Sequence, residues 1–119
     1  MANELSISIS INYANGSDTE TINRSGSTIT VSAVPRASGT ASVGTSEEAI
    51  PLGDVSSTGV AFFQNLDTTN YVEIYRTTAD SAPLIRLRAG QWAWVPITGS
   101  TVFAKANTAA VNLVYRIFA

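Results

Sequence analysis

The chain contains no cysteine and no histidine. Without cysteine there is no disulfide framework, no thiolate metal site and no thiol nucleophile. Without histidine, the most frequent general acid–base group and imidazole metal ligation are gone as well. Charge is sparse: charged residues are 13% of the 119, and the net charge is -2. Neutralising a nucleic-acid backbone takes clustered Lys and Arg, so a nucleic-acid partner is not expected. No apolar run approaches the roughly twenty residues of a membrane-spanning helix, and no membrane partner is expected. Met1-Ala2-Asn3-Glu4 lacks a basic leader, and Ser and Asn interrupt the stretch after it, so no secretory signal is read there. Release by cell lysis needs no such signal.

What the chain has is β-formers. A length of 119 residues suits one domain, 1–119, large enough to bury roughly two thirds of its unfolded surface. Leu5, Ile7, Ile9, Ile11 and Tyr13 alternate with Ser6, Ser8, Ser10 and Asn12, a strand with one apolar face. Asn15-Gly16-Ser17-Asp18 is a turn signal, and Thr19 to Ile22 reads as a short return strand. Arg24-Ser25-Gly26-Ser27 reads as another turn, followed by a strand from Thr28 to Val34 that Pro35 ends. Arg36 to Ser46 is small and polar. It reads either as a surface loop or, over Ala41 to Thr45, as an edge strand. Glu47 to Leu52 is a short strand, placed at an edge by Pro51.

Val60 to Phe63 and Tyr71 to Tyr75 flank Asn65-Leu66-Asp67-Thr68-Thr69-Asn70. Asn and Asp bond their own backbone, so the stretch reads as a central, buried hairpin. A polar connector, Thr77 to Ala82, precedes strands at Leu84 to Arg88, Gln91 to Ile97 and Thr101 to Lys105. The last strand, Val111 to Phe118, has Val111, Leu113, Tyr115 and Ile117 on one face. Its other face mixes Val114 and Phe118 with Asn112 and Arg116. A strand apolar on both faces should lie centrally or be covered in part by another subunit. The expected fold is all-β: one antiparallel, jelly-roll-like β-sandwich of about nine to eleven short strands.

Little of this pattern suggests catalysis. Glu47 and Glu48 are adjacent and so point to opposite faces of a strand. Asp54 and Asp67 sit in turn contexts, and no loop has the alternating oxygens of a calcium site. No enzyme activity, cofactor or metal is expected. Three groups remain. Trp92 and Trp94 share one strand face, as core, as interface or as a platform for sugar rings; core or interface fits aromatics best. Arg86 and Arg88 share a face and suit an acidic partner, or a solvated face with Glu73 or Asp80 across the sheet. Tyr71, Glu73 and Tyr75 form a stripe read as solvated outer surface or as part of an interface.

A resemblance adds a family. Glu48-Ala49-Ile50-Pro51-Leu52-Gly53-Asp54 and Phe63-Gln64-Asn65-Leu66-Asp67-Thr68-Thr69-Asn70-Tyr71-Val72-Glu73-Ile74 resemble a family of small tailed-bacteriophage virion proteins. Leu84-Ile85-Arg86-Leu87-Arg88-Ala89-Gly90 and Phe103-Ala104-Lys105-Ala106-Asn107-Thr108-Ala109-Ala110-Val111 fit it too. Residues 1 to 40 carry none of the resemblance. The family implies a non-catalytic β-sandwich located in the virion, assembled in the host cytoplasm and released by lysis. It implies capsid decoration or cement as the preferred station, with neck, tail or fibre base as alternatives. The implied partners are the chain itself, with a trimer favoured, and the major capsid protein or another virion protein. The candidate subunit or capsid interface comprises Trp92, Trp94, Phe103, Val114, Phe118, Tyr71, Tyr75, Arg86 and Arg88. A carbohydrate-binding module using Trp92 and Trp94 is the reading from a different class. A small sugar-processing enzyme fits least, for want of positioned acid–base groups.

Overall fold

The computed structural model describes residues 4–30, 36–77 and 82–119. The expected strand from Thr28 to Val34 ends within the description at Thr30. Its continuation to Pro35, and most of the connector at 77–82 with Asp80, lie outside the described residues. Among the described residues there are ten strands and no helix. The chain forms two compact units, 1–32 and 33–119. The sandwich expected over 1–119 is confined to the second unit, and the first is a hairpin with a contact set of its own.

In the hairpin, β1 (Glu4–Asn15) pairs antiparallel with β2 (Asp18–Thr30). Asn15 and Asp18 close the two-residue connection, and Gly16 at its first position has a φ of 63°. That left-handed first residue is the arrangement of a type II′ turn, whose twist matches the flanking strands. The second turn expected at 24–27 is absent. The strand runs through it: Ile7 pairs with Ser27 but Ile9 pairs with Arg24, a register shift that leaves an extra residue on β2. Gly26 takes a φ of 70° there, so the glycine permits a β-bulge rather than a reversal.

In the second unit, eight strands form two four-stranded sheets. They are β3 (Arg36–Val43), β4 (Glu48–Ala49), β5 (Thr58–Asn65), β6 (Val72–Tyr75), β7 (Ile85–Leu87), β8 (Trp92–Gly99), β9 (Phe103–Ala106) and β10 (Val111–Phe118). Sheet I has the order β3-β10-β5-β8 and sheet II the order β4-β9-β6-β7. The first strand pairs with the last, β4 with β9, β5 with β8 and β6 with β7, all antiparallel. This nesting is one long hairpin rolled on itself, the strand order of a jelly roll. Residues 36–46, left open between loop and edge strand, supply the full edge strand β3, and β4 is an edge strand as Pro51 indicated.

Period-two alternation then builds the core. β10 buries Val111, Leu113, Tyr115 and Ile117, β5 buries Ala61 and Phe63, and sheet II supplies Val72, Ile74, Leu87, Ala104 and Ala106. β10 and β5 occupy the interior of sheet I, as a strand with apolar residues on both faces requires.

The hairpin expected between β5 and β6 does not form. Both strands are interior and buried, but they belong to different sheets. The connector 66–71 crosses between sheets and is held by Asn65, which is fully buried. The Asn65 Nδ2 donates to the carbonyls of Asn70 (2.9 Å) and Leu87 (3.0 Å), and its Oδ1 accepts from the Asp67 amide at 2.8 Å. The Asp67 carboxylate accepts from the Thr69 and Asn70 amides at 2.9 and 2.6 Å, which lowers its pKa from the ordinary 3.8. The same Asn and Asp chemistry that signals a hairpin serves equally well to stitch one sheet to the other.

Candidate interaction surface

The nine candidate residues separate onto the two outer faces of the sandwich. On sheet I, cross-strand registers place three rows on the outside: Arg36–Phe118–Val60–Pro96, Ser38–Arg116–Phe62–Trp94 and Thr40–Val114–Gln64–Trp92. Trp92, Trp94, Val114 and Phe118 therefore share one face. Trp92 is 58% exposed, while Phe62, Trp94, Val114, Arg116 and Phe118 are half-buried. The core reading of the two tryptophans does not hold. β8 is an edge strand, and 92 and 94 have the parity that points away from sheet II.

This face is aromatic and, among the described residues, its rows hold no Asp or Glu. The Phe62 and Trp92 rings lie 6.0 Å apart between centroids, tilted by 34°. Arg116 lies along the sheet, its Nη1 donating to the carbonyls of Tyr115 (2.8 Å) and Gly39 (3.3 Å). With Arg36 it gives the face a positive character that the chain as a whole lacks. The Trp94 Nε1 is buried without an acceptor. Buried N–H groups are seldom left so, because an unmade bond costs about 1–3 kcal/mol.

Sheet II presents the opposite case. Tyr75 and Glu73 are buried, so the stripe expected to be solvated is covered. The cover comes from neighbouring strands: Arg86 is the cross-strand partner of Glu73, and Phe103 that of Tyr75. Arg86 donates from Nε and Nη2 to the Glu73 Oε2 at 3.0 and 2.9 Å, and the Tyr75 hydroxyl donates to Oε1 at 3.0 Å. The Arg86 guanidinium also lies 4.3 Å from the Tyr71 ring centroid, and the Lys105 Nζ 5.9 Å from that of Tyr75. Hydrogen bonding to Glu73 pushes the Arg86 pKa up, and burial, seconded by the Glu73 bond, pushes up that of Tyr75. Every oxygen of the buried carboxylate is thus engaged, and Arg86 is committed to Glu73. Arg88 follows β7, is exposed, and its amide donates to the Gln91 side chain at 2.8 Å.

No family model, curated protein or solved structure matches the chain. Among the described residues no group of three or more Asp or Glu converges as a metal site would require. An open cleft of about 320 Å³ between 49–56 and 100–102 is lined by no Asp, Glu, Lys or Arg. What the unit offers is an aromatic, weakly cationic face. The sequence reading missed Phe62, Gln64 and Arg116 there. Phe62 was hidden within the apolar run Val60 to Phe63, where only strand parity tells the outward ring from the buried Phe63.

Proposed function

We propose that this chain is a non-catalytic structural protein of a tailed bacteriophage, associating through the outer face of sheet I. The observation that carries the interface is the Trp92–Trp94–Phe62–Val114–Phe118 face, left partly uncovered while sheet II completes its own outer face. Central aromatics flanked by Arg are the composition of protein–protein contacts. The phage assignment rests on the resemblance over parts of 48–111. The same resemblance supports a trimer, head decoration as the preferred station, and the major capsid protein or another virion protein as partner; neck, tail and fibre base are the other stations. The strand order occurs in viral capsid domains and in lectins alike, so fold does not choose between them.

Sugar binding is the second reading, favoured by the exposed Trp92 ring beside Phe62. Mass spectrometry and immunogold labelling of purified particles test the first reading. Regularly repeated signal on the head is expected; signal only on the tail moves the station, and absence from particles overturns the reading. On a glycan array no specific binding is expected. Specific binding lost in folded Trp92→Ala and Trp94→Ala variants would replace the virion reading with the sugar reading.

A further inference from the structure

The β1–β2 hairpin is a two-faced ribbon. Its pairing puts Leu5 with Ile29, Ile9 with Arg24, Ile11 with Ile22 and Tyr13 with Glu20 on one face, and Ile7 shares that face. The other face carries Ser6, Ser10, Asn12, Thr19, Thr21, Asn23 and Thr28. Exposure on the apolar face concentrates toward the tip: Ile11 is 50%, Tyr13 47% and Ile22 38% exposed, while Leu5, Ile7, Ile9 and Ile29 are half-buried. A two-stranded ribbon alone in water is marginally stable at best, and an apolar face invites cover.

The charges on that face say what the cover is. Along β2, Glu20 and Arg24 stand at equal distances on either side of Ile22. On β1, Tyr13 and Ile9 flank Ile11 in the same way. A two-fold axis across the ribbon, through the Ile11–Ile22 pair, stacks Ile11 on Ile11, Ile22 on Ile22 and Tyr13 on Ile9. It also sets Glu20 of each copy against Arg24 of the other, twice. A parallel arrangement instead sets the charges against apolar side chains or leaves them more than ~10 Å apart along the strands. We propose that the tips of two hairpins from two copies of this chain pack face to face, antiparallel, about the Ile11–Ile22 pair.

The overlap is roughly nine residues at ~3.4 Å each, giving an area of about 300 Å² per copy. A standing dimer needs roughly 800 Å² per partner. The contact is therefore weak in dilute solution and forms where copies are concentrated, as when many are held on one surface. It uses a different unit from the Trp92 face and does not depend on the virion reading.

The absence of cysteine makes the test clean. Ile11→Cys and Ser10→Cys variants of the full chain are treated with a bismaleimide able to span two facing sheets about 10 Å apart. Ile11→Cys is expected to give cross-linked dimer at least about tenfold faster than Ser10→Cys, which faces away. Adding Glu20→Arg to the Ile11→Cys chain slows cross-linking roughly tenfold, as does adding Arg24→Glu. Mixing those two double variants restores the rate, because each then meets opposite charge. Equal rates at positions 10 and 11, or no rescue on mixing, overturn the proposal. So does protection of Ile11→Cys from a monofunctional maleimide in a chain that sediments as a monomer, since another part of the same chain then covers the face.

Discussion

The two outer faces of the sandwich begin from similar material and end differently. Each has aromatic rings, an arginine and a central strand. Sheet II places a glutamate among them, and Glu73 gathers Arg86 and the Tyr75 hydroxyl into a closed network. Among the described residues, sheet I has no Asp or Glu on its outer face. Arg116 turns to backbone carbonyls, the rings of Phe62 and Trp92 remain accessible, and the Trp94 N–H has no acceptor. One acid thus separates a face whose polar groups pair with one another from a face whose aromatic rings stay partly accessible.

Substitutions can break this comparison, beginning where both faces depend on one joint. Asn65→Ala deletes three hydrogen bonds at a fully buried site that joins the two sheets. We expect a loss of about 3 kcal/mol by denaturant unfolding, more than any single change on either outer face. Glu73→Ala comes next, at about 2 kcal/mol, mainly because the buried Tyr75 hydroxyl loses its acceptor. It should leave self-association intact, which sedimentation would show. Trp92→Ser should do the reverse, changing stability by less than ~0.5 kcal/mol while weakening association. If Glu73→Ala weakens association as much as Trp92→Ser, the division of labour between faces is wrong.

Titration sharpens the same contrast. The folded state holds the Tyr75 proton more tightly than the unfolded state does. Its contribution to stability is therefore full below the ordinary value of 10.0 and is lost as pH rises through the raised pKa. Tyr75→Phe should flatten that alkaline loss. The smallest effect lies at the acid end. The lowered pKa of Asp67 gives a contribution present above 3.8 that fades as pH falls below it. Asp67→Asn should reduce that acid dependence in a melting series.

How much of this was legible follows from what period-two patterning encodes. Alternation gave the buried side of β10 and the apolar side of β1 because each lists its faces residue by residue. It did not say where the other half of a core comes from, so the alternating hairpin and the sandwich looked like one domain. Turn chemistry located 65–70 but not its direction, since an Asx turn bonds its own backbone whether the next strand pairs or crosses. Gly26 carried the same ambiguity between a reversal and a bulge. On the candidate surface, Trp92 and Trp94 were visible through their shared parity. Phe62 was hidden by the unbroken apolar run around it, and the burial of Glu73 depends on neighbours distant in sequence.

The most direct test of sheet I as the associating face is hydroxyl-radical footprinting of Trp92 and Phe62. The free protein at high dilution would be compared with the protein in purified particles, using Tyr71, whose ring lies against Arg86 of sheet II, as the internal reference. The account predicts that Trp92 oxidation falls several-fold in the particle while Tyr71 changes little. Trp92 as reactive in the particle as in dilute solution would contradict it.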